Sequence, residues 1–112
     1  MKWFEFRQNN SGGSFVKDMG LSFWVQANSP DEANILAEEH GVYFDGCVTG
    51  TDCACCGDRW SSLWRAEKGE DSPRDNGKYA KSWGLEDMVL PYGAKEKMSY
   101  KEWSIARGTA TE

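Results

Sequence analysis

Residues 47–60 read Cys-Val-Thr-Gly-Thr-Asp-Cys-Ala-Cys-Cys-Gly-Asp-Arg-Trp, and this stretch, the cysteine loop, holds all four cysteines of the 112-residue chain. Cys53 and Cys56 have the C-x-x-C spacing that lets two thiolates reach one metal ion. Gly57 follows at once, and a glycine there lets the backbone turn with positive φ and direct an N–H toward a sulfur. The loop therefore predicts a zinc site around which a small domain is built.

The predicted zinc ligands are Cys47, Cys53, Cys56 and, as the fourth, either Cys55 or His40. We favour Cys55, although two adjacent cysteines on one ion are an uncommon arrangement, and the second distant C-x-x-C of a zinc ribbon does not occur in this sequence. Four protein ligands would close the coordination shell, which predicts a structural rather than a catalytic ion. Other interpretations stay open: disulfides, which need an oxidising compartment, packed thiols, or a catalytic thiol.

Composition predicts one domain with a modest core, and it limits the classes of partner. The first five residues are charged and aromatic, with no apolar run, so we expect neither a signal peptide nor a membrane span, and a cytoplasmic location. The net charge is −5, and residues 1–56 carry three Lys or Arg against eight Asp or Glu. This acidic half argues against a broad phosphate-binding face for nucleic acid.

Hydrophobic periodicity predicts an α+β fold: an antiparallel sheet with one capped helix packed on it. Residues 3–8 and 21–27 alternate as half-buried strands do, and residues 15–17, 42–44 and 59–66 are further predicted strands. Residues 88–90 form a predicted edge strand, because Pro91 cannot donate to a ladder. A helix begins at the N-cap Ser29, with Pro30 and Glu32 in its first turn, and ends at Gly41.

The remaining segments are less regular. Residues 67–78 are charged and contain Pro73, Asn76 and Gly77, which predicts a mobile connection within the single domain 1–112. Residues 99–107 suit either a strand or a short helix. Residues 108–112 are expected to be a frayed tail.

Two surfaces are candidates for binding a ligand. The first is the glycine loop, which comprises Asn9, Asn10, Ser11, Gly12 and Gly13. It is rich in small groups and in backbone N–H donors that suit a phosphate or another anion. An ordinary hairpin turn would also explain this sequence. The second is Arg59 beside Trp60, which suits a planar, negatively charged group held by a fork of donors and by stacking. Alternatively, Asp58 and Arg59 only support the turn.

No nucleophile–base pair stands out in the sequence, which has a single histidine, so we expect a binding protein rather than an enzyme. Another hypothesis is a zinc-knuckle adaptor for nucleic acid or a transcription complex, which would use Arg59, Arg65, Lys78 and Lys81. The acidic N-terminal half disfavours this adaptor. The sequence leaves open whether copies of the chain associate.

Residues 6–15, Phe-Arg-Gln-Asn-Asn-Ser-Gly-Gly-Ser-Phe, and residues 53–60, Cys-Ala-Cys-Cys-Gly-Asp-Arg-Trp, resemble small uncharacterised proteins of tailed bacteriophages, as does the helix entry at residues 29–34. The resemblance covers roughly residues 1–65. It implies a cytoplasmic protein of an infected bacterium that binds a host protein or a nucleotide signal of host immunity. The resulting hypothesis is an anti-defence protein that inhibits a host factor or sequesters a nucleotide-derived immune signal.

Overall fold

The computed structural model describes residues 1–8, 21–50, 57–64, 66–74 and 87–106. These residues form the strands β1 (Lys2–Arg7), β2 (Ser22–Ala27), β3 (Met88–Leu90) and β4 (Met98–Ser99), and the helices α1 (Pro30–Glu39), α2 (Gly46–Thr49) and α3 (Tyr100–Ala106). The predicted strand at residues 15–17 and the predicted frayed tail at 108–112 lie outside the described residues.

The four described strands form a sheet in the order β1-β2-β3-β4. The β1–β2 and β3–β4 pairs are antiparallel, whereas β2 and β3 run parallel, with Trp24 opposite Val89. The α+β class is confirmed, but the prediction of an antiparallel sheet is wrong because the sheet is mixed. The chain leaves β2 into α1 and returns much later as β3, and such a crossover connection brings a strand back in the same direction.

The position of β3 also differs from the prediction. We expected an edge strand because of Pro91, but β3 lies between β2 and β4. Pro91 follows Leu90, the last residue of the strand, so its missing N–H removes no hydrogen bond from the ladder.

Both faces of the sheet are covered. Phe4, Phe6, Phe23 and Val25 lie on one face and pack in the main core together with Ala33 and Ala37 of α1 and with Trp60. On the other face Trp3, Trp24 and Val89 pack with Trp103 of α3, and the rings of Trp3 and Trp103 meet edge-on at 5.4 Å. The strand β2 is therefore buried on both sides rather than half-buried, because α3 covers the second face.

The predicted ends of α1 are confirmed. The side chain of Ser29 accepts a hydrogen bond from the backbone N–H of Glu32 at 3.1 Å, and the Glu32 carboxylate accepts one from the N–H of Asn28 at 2.7 Å. At the other end Gly41 has φ 105, and the N–H of Val42 donates to the carbonyl of Ala37 at 3.1 Å. A glycine with positive φ, followed by a hydrogen bond back to the last turn, is a common way for a helix to end.

Neither residues 42–44 nor the described part of 59–66 forms the predicted strand. The N–H of Val42 is used by the end of α1, and the chain then turns into α2. The side-chain amide of Asn34 donates to the carbonyl of Leu63 at 3.3 Å and accepts from its N–H at 2.9 Å. A helix side chain thus satisfies the main-chain groups of Leu63 that a neighbouring strand would otherwise pair.

Two ambiguous segments have a definite place. Residues 98–106 contain both predicted alternatives, since β4 ends at Ser99 and α3 begins at the next residue, with the Ser99 hydroxyl accepting from the N–H of Glu102. In the predicted mobile connection, Glu70 forms a bridge with Trp3 through two hydrogen bonds of 2.8 Å.

Among the described helices, none has the length and apolar character needed to cross a bilayer.

Candidate functional site

The glycine loop itself lies outside the described residues, but the structure describes the residues from which it starts and to which the chain returns. Gln8 immediately precedes the loop and is buried, with 3 % of its surface exposed. Its backbone N–H donates to the carbonyl of Leu21 at 2.8 Å. The segment 9–20 therefore begins and ends at a hydrogen-bonded pair that continues the β1–β2 ladder.

Arg59 lies beside the start of the glycine loop. Its Nη1 donates to the side-chain oxygen of Gln8 at 2.9 Å, and its Nε donates to the hydroxyl of Tyr43 at 3.1 Å. Two neutral acceptors from separate segments therefore fix the plane of the guanidinium. The structure therefore places Arg59 against Gln8, the residue that precedes the glycine loop in the sequence.

Trp60 has a different place from that of its neighbour. Only 1 % of its surface is exposed, and the indole packs in the main core with Phe4 and Phe6. Its Nε1 has no hydrogen-bond partner in the described structure. The side chain anchors this segment to the sheet, so any effect of Trp60 on a ligand at Arg59 is exerted through positioning.

The cysteine loop is described only at its ends, and Cys53, Cys55 and Cys56 lie outside the described residues. Cys47 is half-buried on α2, and its backbone N–H donates to Oδ1 of Asp58 at 2.9 Å. Hydrogen bonds from the backbone and the side chain of Cys47 lower the pKa of the Asp58 carboxyl below its ordinary value. Asp58 thus supports the turn, as one of the two sequence interpretations expects.

The metal site remains a prediction. No group of three or more metal-binding side chains occurs within the part of the chain that the structure describes, which includes His40 and Cys47 but not the other three cysteines. His40 is the C-cap residue of α1 and is half-buried. The backbone at Gly57 has φ 86, the positive φ that the predicted turn around an ion requires.

A groove that the sequence did not indicate lies along β1. Its volume is about 700 Å³, and it is lined by residues 3–5 of β1 and by described residues between 63 and 70. Trp64 on its wall is 80 % exposed. A strand at residues 59–66 would place Trp60 and Trp64 on one face. Without a strand, the indole of Trp60 lies in the core and Trp64 lines the groove.

Charged side chains surround this groove. Glu5, Glu67, Lys68 and Glu70 line it, and the Glu5 carboxylate accepts a hydrogen bond from the Ser22 hydroxyl at 2.5 Å. Arg74 lies nearby, with its Nη2 3.0 Å from Glu70 and 3.7 Å from Glu5, and its guanidinium carbon is 5.6 Å from the centre of a Trp24 ring.

Comparisons with known proteins place the chain in a family but assign no activity. No curated protein and no solved structure matches it. A family described as a domain of unknown function, DUF7296, matches residues 1–104, which is nearly the whole of the chain. The protein therefore belongs to the DUF7296 family.

Proposed function

We propose that this protein is a non-enzymatic binding protein that captures a nucleotide-derived anion through Arg59 and the glycine loop. In the setting that the phage resemblance implies, the anion is an immune signal of the bacterial host, and its capture is an anti-defence activity. The observation that carries this proposal is the 2.9 Å hydrogen bond from Arg59 to Gln8, the residue from which the glycine loop starts.

The chemistry of the two parts is complementary. A guanidinium presents planar N–H donors that match the oxygens of a phosphate, and backbone N–H groups of a glycine-rich loop are suited to the same anion. Because Tyr43 and Gln8 hold the guanidinium, less side-chain freedom is lost when a ligand binds. The net charge of −5 disfavours a polyanionic nucleic acid and is compatible with a small anion held at one local cation.

The experiment is a calorimetric titration of the purified protein with cyclic dinucleotides, cyclic oligonucleotides and ADP-ribose-type nucleotides. We expect one class to bind, and Arg59→Ala to weaken that binding by roughly tenfold or more because hydrogen bonds to a charged group are lost. Arg59→Lys keeps the charge but lacks the planar fork, so it also weakens binding.

The matched control is Arg74→Ala, which removes the same charge from an exposed arginine that pairs with Glu70. It is expected to leave nucleotide binding unchanged, and circular dichroism checks that each variant is folded. Absence of binding across the panel, or equal losses in the Arg59 and Arg74 variants, would rule out nucleotide capture at this site.

A further inference from the structure

The outer edge of β1 has main-chain groups directed away from the sheet. β1 is the first strand in the order, and the N–H and carbonyl of Trp3 point outward to Glu70, whereas the N–H of Gln8 points inward to Leu21. Because these directions alternate along an antiparallel strand, the main-chain groups of Glu5 and Arg7 also point outward. Within the described residues, the bridge to Glu70 is the one pairing on this edge.

The segment that pairs with Trp3 through Glu70 also lines the groove, together with Trp3, Phe4 and Glu5 of β1. At Gly69 the two backbones are close, since a Cβ there would lie 2.7 Å from Cβ of Lys2. Leu63 and Trp64 also line the groove. The volume of about 700 Å³ lies within the usual range of ligand sites, roughly 300–1,000 Å³.

The groove has the charge and the aromatic surface that favour a cationic side chain. Among the described residues that line it are three carboxylates and one lysine, with Arg74 paired to Glu5 and Glu70, and the chain as a whole is acidic. The N–H of Glu67 donates to the carbonyl of Trp64 at 3.1 Å, which keeps the backbones of these two lining residues close, and Trp64 is 80 % exposed. A lysine or arginine between them would gain both an ion pair and a cation–π contact.

We propose that this groove is a docking site for an extended, basic segment of a protein partner. The segment adds to the outer edge of β1 beside Glu5 and places a basic side chain between Trp64 and Glu67. Edge-strand addition of this kind obtains affinity from main-chain hydrogen bonds and specificity from side-chain contacts. The site shares no residue with the Arg59 surface, so either proposal can fail without the other.

The test uses fluorescence anisotropy with a labelled short peptide that alternates lysine and valine. We expect it to bind, and to bind more weakly as salt rises because the contact is partly electrostatic. Two control peptides, one with glutamate in place of lysine and one with N-methylated main-chain amides, are expected not to bind. The first has the wrong charge, and the second cannot donate to the strand edge.

Variants locate the site. Trp64→Ala and Glu67→Gln are each expected to weaken binding of the lysine–valine peptide roughly threefold or more. Val48→Ala and Glu39→Gln change an exposed apolar residue and an exposed carboxylate elsewhere, and they should have no effect. Arg74→Ala is expected to tighten binding, because it leaves Glu5 and Glu70 without their arginine; a role in folding alone would not produce this opposite sign.

Nuclear magnetic resonance supplies a second readout, since the backbone amide of Glu5 is expected to shift and to exchange more slowly when the lysine–valine peptide binds. The proposal is overturned if the peptide binds the Trp64→Ala variant with the same affinity as the original chain. It is equally overturned if the chemical shift and the exchange rate of the Glu5 amide do not change. It is also overturned if sedimentation shows a dimer that Trp64→Ala dissociates, because a second copy would then occupy the groove.

Discussion

The backbone N–H of Cys47 and the carboxylate of Asp58 are joined by a hydrogen bond of 2.9 Å that closes the ends of the cysteine loop. The contact spans eleven positions of the sequence, between α2 and the segment that leads to the core residue Trp60. The hydrogen bond therefore holds the two ends of the cysteine loop together. A metal ion bound by the cysteines would add to a loop whose ends this hydrogen bond already joins.

The zinc prediction concerns the thiolates between those ends. We expect about one zinc ion per chain on elemental analysis of protein purified without chelator, because structural zinc sites contribute roughly 10 kcal/mol or more of apparent binding free energy. Cys53→Ser and Cys56→Ser are expected to lower the melting temperature strongly. Comparing Cys55→Ser with His40→Ala identifies the fourth ligand, and melting that is unchanged by chelation would contradict the site.

The lowered pKa of Asp58 predicts a pH dependence of stability. Its pKa in the folded chain lies below the ordinary value of 3.8, so the stabilisation is complete above that value and is lost as pH falls through the folded-state pKa. Asp58→Asn keeps an acceptor oxygen but cannot titrate. Urea unfolding at a series of pH values should therefore show a smaller acid-induced loss of stability in Asp58→Asn than in the original chain.

The control for this measurement is Glu38→Gln, which removes an exposed carboxylate from α1. It should retain the acid-induced loss that the original chain shows. Parallel pH profiles for Asp58→Asn and the original chain would show that ionisation of Asp58 does not stabilise the folded state.

The contact between Asn34 and Leu63 predicts a specific destabilisation. Asn34→Ala removes both hydrogen bonds and leaves the main-chain groups of Leu63 unpaired, at a cost of about 1–3 kcal/mol in the free energy of unfolding. This loss should exceed the small gain from the higher helix propensity of alanine. Urea denaturation measures it, with Ile35→Ala, an exposed neighbour on the same helix, as the control that should change little.

Gly69 is expected to tolerate no side chain. Its φ is +70, and an added Cβ would lie 2.7 Å from Cβ of Lys2 and 3.1 Å from the Phe4 ring. Gly69→Ala should therefore destabilise the fold by about 1–3 kcal/mol because of backbone strain. The close contact of the added Cβ with β1 should add a further loss of stability. Thermal unfolding checks the change in stability.

Gly93→Ala is the matched control, because Gly93 has φ +82 but no atom within 4 Å of the added Cβ. The difference between the two variants isolates the close approach to β1. Equal losses in both would mean that the segment around Gly69 moves away from the strand at little cost.

Local chemistry accounts for the parts of the fold that were predicted correctly. The alternation in β1 placed Phe4 and Phe6 on one face, and Ser29 and Gly41 marked the two ends of α1. These features depend on side-chain periodicity and on backbone groups within a few residues of one another. A sequence read alone contains that information.

Contacts between distant residues decided what the sequence did not. The parallel pairing of β2 with β3 depends on the path of a long connection, and the main-chain groups of Leu63, where a strand was predicted, pair with the Asn34 amide. Periodicity says nothing about which helix side chain reaches a segment almost thirty positions away.

The candidate sites divide in the same way. By itself the sequence determined which residue types are available, namely the clustered cysteines, the glycine loop and the arginine at position 59. Only the tertiary structure decided that Arg59 lies against Gln8, that Trp60 is buried and that Trp64 is exposed beside the edge of β1. The physical reason is that burial and the pairing of polar groups depend on neighbours that the fold brings together from separate parts of the chain.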